Sequence, residues 1–309
     1  MSAAPPDATQ TESEHSRKVK GFWATLGVFS AWGFLPIYWK SLYFIEPFLI
    51  LLHRIFWSFC LLVLMRAKTG GLRETFACLK DKGYAFKVAV RSVLISGNWL
   101  IFIWAVNAGH VVQTSLGYFM SPLMHMLCGI IFFRERPQPL QWLAIGLAVA
   151  GVGVQIGFFG DIPWVALSLS ISFALYGAMR KADKRGAIEG LLLETTLILP
   201  FTIAGLVWYA VTSGTGLAIS PLHTILIICS GLFTGLPMVL FAYGAQRINL
   251  TTVGIIQYIY PTIILLVGVL LYHEVVSSGT WVSFAFIWAA LAVYTAESIR
   301  LYKKTMRRA

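Results

Sequence analysis

Apolar and polar positions fall along this chain in long blocks rather than short periods. Ten apolar runs, each near the ~20 residues that cross a ~30 Å hydrocarbon layer as α-helix, are separated by short polar connections. They cover 21–39, 47–65, 88–106, 113–133 and 140–158, then 164–179, 190–211, 222–243, 252–272 and 280–299. Pro122 in the fourth run and Pro261 in the ninth lie 139 residues apart, and the same offset relates Gly129 to Gly268, Glu135 to Glu274 and Trp142 to Trp281. Four matched landmarks without a gap read as an internal repeat. Each proline leaves the carbonyl four residues earlier, Tyr118 or Gln257, without its helical donor. The pattern therefore predicts helix breaks at matched places in two halves, the arrangement that marks solute sites in repeat-built transporters.

Composition places these runs in a membrane: 58% of the 309 residues are hydrophobic and 12% charged. The net charge of +11 forms no continuous basic face, so nucleic acid is not an expected partner. With the N-terminus taken as cytoplasmic, twenty-two of the twenty-four lysines and arginines fall on the inner side, leaving Lys40 and Arg54 elsewhere. The expected protein is all-α, with ten transmembrane helices in the cell (inner) membrane and both termini cytoplasmic. Five spans per half make the second copy inverted. Residues 1–20, polar and proline-containing, read as a disordered tail; 21–158 and 159–300 are the two five-helix repeats, and 301–309 is a basic tail. Leu72, Phe76 and Leu79 suggest an interfacial helix between the second and third spans. In the fifth span Gly146, Ala150, Gly153 and Gly157 suggest a helix-packing face. Cys60, Cys78, Cys128 and Cys229 are scattered, so neither a disulfide framework nor a metal site is expected, and no cofactor.

The stretches HRIFWSF at 53–59, GNWLIFIWAVN at 97–107, SLGYF at 115–119, QWLA at 141–144 and FAFIW at 284–288 carry a resemblance. With the AWG of the first span and the proline and glutamate landmarks, the chain beyond its tail resembles the EamA family of the drug/metabolite transporter superfamily. That resemblance implies a ten-helix inner-membrane transporter with a central cavity between its halves, and it brings chloramphenicol among the solutes to test.

Charges inside the runs are the first candidates for chemistry. Arg54 lies ~10 Å into the second span, where a lipid-facing charge is expensive, so it should face a cavity and suits an anionic solute group. Glu194, in the seventh span, lies near the opposite side, so the two read as separate polar points on one pathway. Glu194 and His125 are the candidates for proton coupling. His53 is expected to snorkel to the outer interface, as is Lys40 at the outer mouth. Asn98 near the midplane and the aromatic or amide residues Trp32, Trp57, Trp99, Tyr118, Tyr176, Gln257 and Tyr258 are the remaining cavity candidates. Trp23, Trp164 and Trp208 read as interface anchors. Glu135 and Glu274 are expected to cap the fifth and tenth helices.

These features predict a secondary transporter, an exporter or permease, working by alternating access as two five-helix halves rock about a midplane site. Its expected partners are a small amphipathic organic solute, amino-acid-like or aromatic, and the lipid bilayer, as monomer or homodimer. No GxxxxGK[ST] loop supports an ATP-driven pump. The alternatives are an intramembrane enzyme and a non-transporting scaffold. Against an enzyme, Asp7, Asp81, Asp161 and Asp183 all lie outside the runs, and neither HExxH nor GxSxG occurs.

Overall fold

The computed structural model describes residues 8–42, 45–108, 110–157, 163–213, 220–273 and 275–306, which are helical almost throughout, with no strand among them. The helices are α1 (Ala8–Lys40), α2 (Pro47–Lys68), α3 (Leu72–Ala77), α4 (Lys82–Asn107), α5 (Val111–Phe133), α6 (Pro139–Gly157), α7 (Trp164–Ala182), α8 (Ala187–Thr212), α9 (Pro221–Ala245), α10 (Leu250–Gln257), α11 (Ile259–Leu271) and α12 (Ser278–Met306). α10 and α11 form one pass interrupted at Tyr258, so among the described residues ten long passes stand where the ten apolar runs lie. Eight are long and apolar enough to cross a membrane by length and composition; α1 and α7 are diluted by polar and aromatic residues.

Helix is the form that lets each segment satisfy its own backbone in hydrocarbon. The ends are set by local chemistry. Glu46 accepts the Leu49 amide at 3.0 Å ahead of Pro47, and Ser220 accepts that of His223 at 3.2 Å ahead of Pro221. α5 ends at Arg134 and α11 just before His273, with φ of 52° and 53°, the only non-glycine positive φ values among the described residues. These two left-handed stops are 139 residues apart, the offset of the sequence landmarks.

Lateral packing follows the repeat. α1 lies against α9 and α11, α2 against α8 and α9, α4 against α7 and α8, and α5 against α7 and α10, while α6 pairs with α12. Followed round, the contacts close a ring in the order α1, α9, α2, α8, α4, α7, α5, α10–α11 and back to α1. Exchanging each pass with its counterpart in the other half returns the same neighbours. Every adjacent pair in the ring joins one half to the other, and the main apolar cluster draws on both. The two five-helix halves expected to rock about a midplane site therefore interleave.

Other expectations change too. Helix begins at Ala8 rather than after a disordered 1–20 tail, and α12 continues to Met306 through part of the expected basic tail. Extending an existing helix needs no new nucleus, and Glu14 pairs with Lys18 at 2.7 Å along this stretch. Pro122 sits inside a continuous α5, so of the two expected breaks only the one near Pro261 appears. Between α2 and α4 stand the short helix α3, which carries Leu72 and Phe76 and stops before Leu79, and one 3₁₀ turn, with Arg66 bonded to Thr75 at 2.9 Å. α6 meets α12 through Ala144, Ala148, Gly151 and Val152, and Ser283 donates to the Gly151 carbonyl at 2.7 Å. Gly146, Ala150, Gly153 and Gly157 lie on its exposed side, because the contact face is one helical phase away. His53 is buried at 4% exposure rather than snorkelling.

Gly231 sets the α2–α9 spacing: a Cβ there would lie 2.3 Å from the Trp57 carbonyl carbon and 2.6 Å from the Ser58 nitrogen. Gly231→Ala is expected to destabilise the purified protein by about 1–3 kcal/mol. Gly153→Ala, with nothing within 4 Å, should leave the thermal unfolding temperature unchanged or raise it slightly.

Candidate functional site

The ring encloses a lumen with two chemically different ends. Near one end stands Arg54, on the inward face of α2. Its Nε donates to Thr234 Oγ1 of α9 at 2.9 Å, and its guanidinium carbon lies 4.5 Å from the Trp39 ring centre and 5.6 Å from that of Trp99. The hydroxyls of Tyr118, Tyr38 and Tyr260 are within electrostatic reach, and the Tyr118 and Tyr260 rings meet edge to face at 5.0 Å. Arg54, Tyr38, Trp39, Trp99, Tyr118 and Tyr260 are all half-buried; Arg54, Tyr118 and Tyr260 lie deep within the bundle yet keep accessible surface, so open space borders these three. Among the described residues no carboxylate pairs with Arg54. Near this end Lys40 lies 3.5 Å over the Tyr272 ring. The nearby Glu46 is occupied by the Leu49 amide and the Tyr209 hydroxyl.

Toward the other end the lumen is filled. Phe173 and Tyr176 of α7 stack with Phe241 of α9 at 5.0 and 6.2 Å, with Trp32 and Phe29 of α1 and His125 of α5 packed around them. The Tyr176 hydroxyl donates to Glu194 at 2.9 Å and so leads into an ionic cluster. Arg91 meets Glu194 at 2.6 Å and Asp183 at 3.1 Å, and Arg180 meets them at 3.3 and 3.4 Å. All four side chains are at most 2% exposed, and their two positive and two negative charges balance. Gly190 makes room for the cluster, since a Cβ there would fall 1.9 Å from Arg180 Nη1. α4, α7 and α8 are thereby tied together, and Arg66 to Glu189 at 2.6 Å ties α2 to α8 at the same end.

The sequence candidates divide among these places. Arg54, Trp99 and Tyr118 come together around the open space; Trp32 and Tyr176 belong to the filled part. Asn98 donates to the Leu169 carbonyl at 2.8 Å and Ser172 at 2.9 Å, holding α4 to α7. Trp57 is half-buried at the crossing with α9, its indole nitrogen without a partner. Gln257 donates to Ser121 at 2.9 Å, and the Tyr258 hydroxyl is fully buried and unpaired, so neither is placed with Arg54. His125 has one ring nitrogen 3.0 Å from the Ser121 carbonyl, and its Nε2 has no hydrogen-bond partner among the described residues. Among the described residues Arg54 and Glu194 share no partner. Glu135 is a cap, but of α10 instead of the fifth helix: it accepts from the Leu250 and Thr251 amides, each at 2.8 Å. Glu274 lies outside the described residues. Sequence reasoning missed Tyr38, Trp39, Thr234 and Tyr260 at the open end and Arg91, Arg180 and Asp183 at the closed one. Arg91 had a legible signal, being a charge inside an apolar run.

The model of the EamA-like transporter family matches the chain twice, over residues 19–156 and 162–296. The chain is 38% identical over 302 residues to Protein RarD of Escherichia coli, spanning 97% of this chain and all of that one. It is 41% identical over 291 residues to the uncharacterized transporter YojE of Bacillus subtilis, spanning 93% and 97%. A crystal structure 17% identical in sequence superposes with a TM-score of 0.67, covering 91% of this chain and 98% of its own, a likeness of fold alone.

Removing one partner of a buried ion cluster strands the others. Glu194→Gln is expected to cost about 3–5 kcal/mol, leaving two guanidinium groups to Asp183. Gly190→Ala should act in the same direction by displacing Arg180. Thermal unfolding in detergent checks both, and unchanged transitions would show that the cluster carries no structural weight.

Proposed function

The chain belongs to the EamA-like transporter family and is a multi-span membrane transporter, and from that premise we propose that it moves a small amphipathic organic solute by secondary, alternating-access transport. The observation that carries this reading is the asymmetry of the lumen: open and polar around Arg54, filled and ion-paired around Glu194. An uninterrupted pore would be open at both ends. A scaffold would have no use for a cation bordering open space at depth.

The two five-helix repeats, 21–158 and 159–300, are inverted in this reading. It is supported by the double family match and the paired left-handed stops. Both termini are cytoplasmic, in the bacterial inner membrane, because the lysines and arginines concentrate at the end that the ionic cluster closes. The conformation is then open toward the outside and closed toward the cytoplasm. Of the two proton-carrier candidates the geometry favours His125, whose Nε2 is unpaired inside the aromatic filling, over Glu194, whose oxygens are taken by Arg91, Arg180 and Tyr176.

Purified protein in liposomes tests the reading by counterflow of amino acids, aromatic metabolites and chloramphenicol, with and without a pH gradient. One solute class should exchange, at rates absent from empty liposomes. Folded, inserted protein that exchanges none would overturn it. His125→Gln is expected to keep counterflow and lose the response to an imposed gradient. Ser92→Cys, beside the Glu194 carbonyl at 3.1 Å, should be shielded from an inner-side maleimide at rest and labelled several-fold faster during exchange.

A further inference from the structure

We infer that the solute is a small organic anion, a carboxylate borne on or beside an aromatic group, and that Arg54 is the residue that selects its charge. This rests on the transport reading above. The two ends of the lumen are counterparts under the repeat. Arg54 on α2 and Glu194 on α8 lie 140 residues apart, and each touches the pass before it and the one across from it. Glu194 meets Arg180 of α7 and Arg91 of α4; Arg54 meets Trp39 of α1 and Thr234 of α9, the corresponding helices. At the Glu194 end these neighbours supply the opposite charge in full. At the Arg54 end they supply a ring face and a hydroxyl, and no negative charge.

A cation deep in a bundle is held at a cost that falls when a counter-ion arrives. Only the Nε of Arg54 is engaged, by Thr234, and among the described residues its two Nη groups donate to none. Those groups form the fork that grips a carboxylate through two parallel hydrogen bonds. Trp39 and Trp99 lie over the guanidinium, which steadies it, while the half-buried Tyr118 and Tyr260 rings offer stacking surface and hydroxyls to the rest of the solute. An amine would be repelled, and a neutral amide would leave the guanidinium uncompensated. Lys40 adds a second positive charge near the same end, and the carboxylate of Glu46, held by the Leu49 amide and the Tyr209 hydroxyl, offsets only one of the two.

The test has two arms. In protein whose four native cysteines are replaced by serine, Tyr118→Cys is labelled with anionic sulfonatoethyl or cationic trimethylammonium-ethyl methanethiosulfonate. The anionic reagent should react at least about tenfold faster. Arg54→Lys should keep that preference and Arg54→Gln should bring the rates to parity. In the second arm, liposomes with otherwise unaltered protein are offered aromatic and aliphatic carboxylates, each beside its primary amide. Acids should exchange at least about tenfold faster than their amides. Arg54→Gln should abolish the difference and Arg54→Lys retain part of it. Equal labelling by both reagents, a preference that survives Arg54→Gln, or amides carried as well as acids would overturn the inference while leaving transport standing. A clear labelling preference with no solute exchanged would count for the charge selection and against the transport reading.

Discussion

A charge held away from water must be matched within a few ångströms, and that constraint shapes both ends of this molecule. Where α4, α7 and α8 converge, Arg91, Arg180, Asp183 and Glu194 satisfy one another at 2.6 to 3.4 Å. The match is local and complete, so the helices carrying these residues are fixed relative to one another and the lumen is shut above them by stacked rings. Around Arg54 the helices converge on a charge that no carboxylate among the described residues matches, and such a charge favours water or an anion beside it over a dry seam. Open and closed ends thus follow from how charge is distributed, not from a difference in fold.

Interleaving decides what kind of motion such a bundle permits. Each ring interface joins the first half to the second, so a hinge between sequence halves would tear the ring all the way round. Opening the closed end means sliding or tilting at a few of these interfaces together, and the residues that resist are those in the ionic cluster and the Arg66–Glu189 pair. The interruption at Tyr258 is one place where a pass need not move as a rigid rod.

Much of the fold was legible because apolar blocks of membrane length leave few readings. α2, expected at 47–65, runs Pro47–Lys68, and α5, expected at 113–133, runs Val111–Phe133. The repeat was legible because landmarks kept one offset, and the same offset reappears in Arg134 and His273. Lateral neighbours were not legible. Arg91 and Glu194 are 103 residues apart, and block length says nothing about which faces meet. Helical phase misled the ninth pass: two residues apart, Tyr258 and Tyr260 point in roughly opposite directions, and it is Tyr260 that nears Arg54. Glu135 was recognisable as a cap by type and position, but the amides it reaches are 115 and 116 residues away.

The repeat also shows how two similar halves can give two dissimilar ends. Equivalent backbones place equivalent positions at opposite faces of the bundle, so each end inherits the same kind of convergence of α1, α2 and α9 or of α7, α8 and α4. If the side chains were equivalent too, both ends would close equally well and no conformation would be preferred. They are not: two arginines face Glu194, whereas two tryptophans and a threonine face Arg54. In the proposed transport cycle the empty molecule therefore rests with its ion-paired end shut. Closing the Arg54 end requires something to neutralise that charge as water leaves it, and a bound anion does so while a bare lumen does not. Under the transport proposed above, occupancy and conformation are then coupled through a single electrostatic term, which is what alternating access demands of a solute.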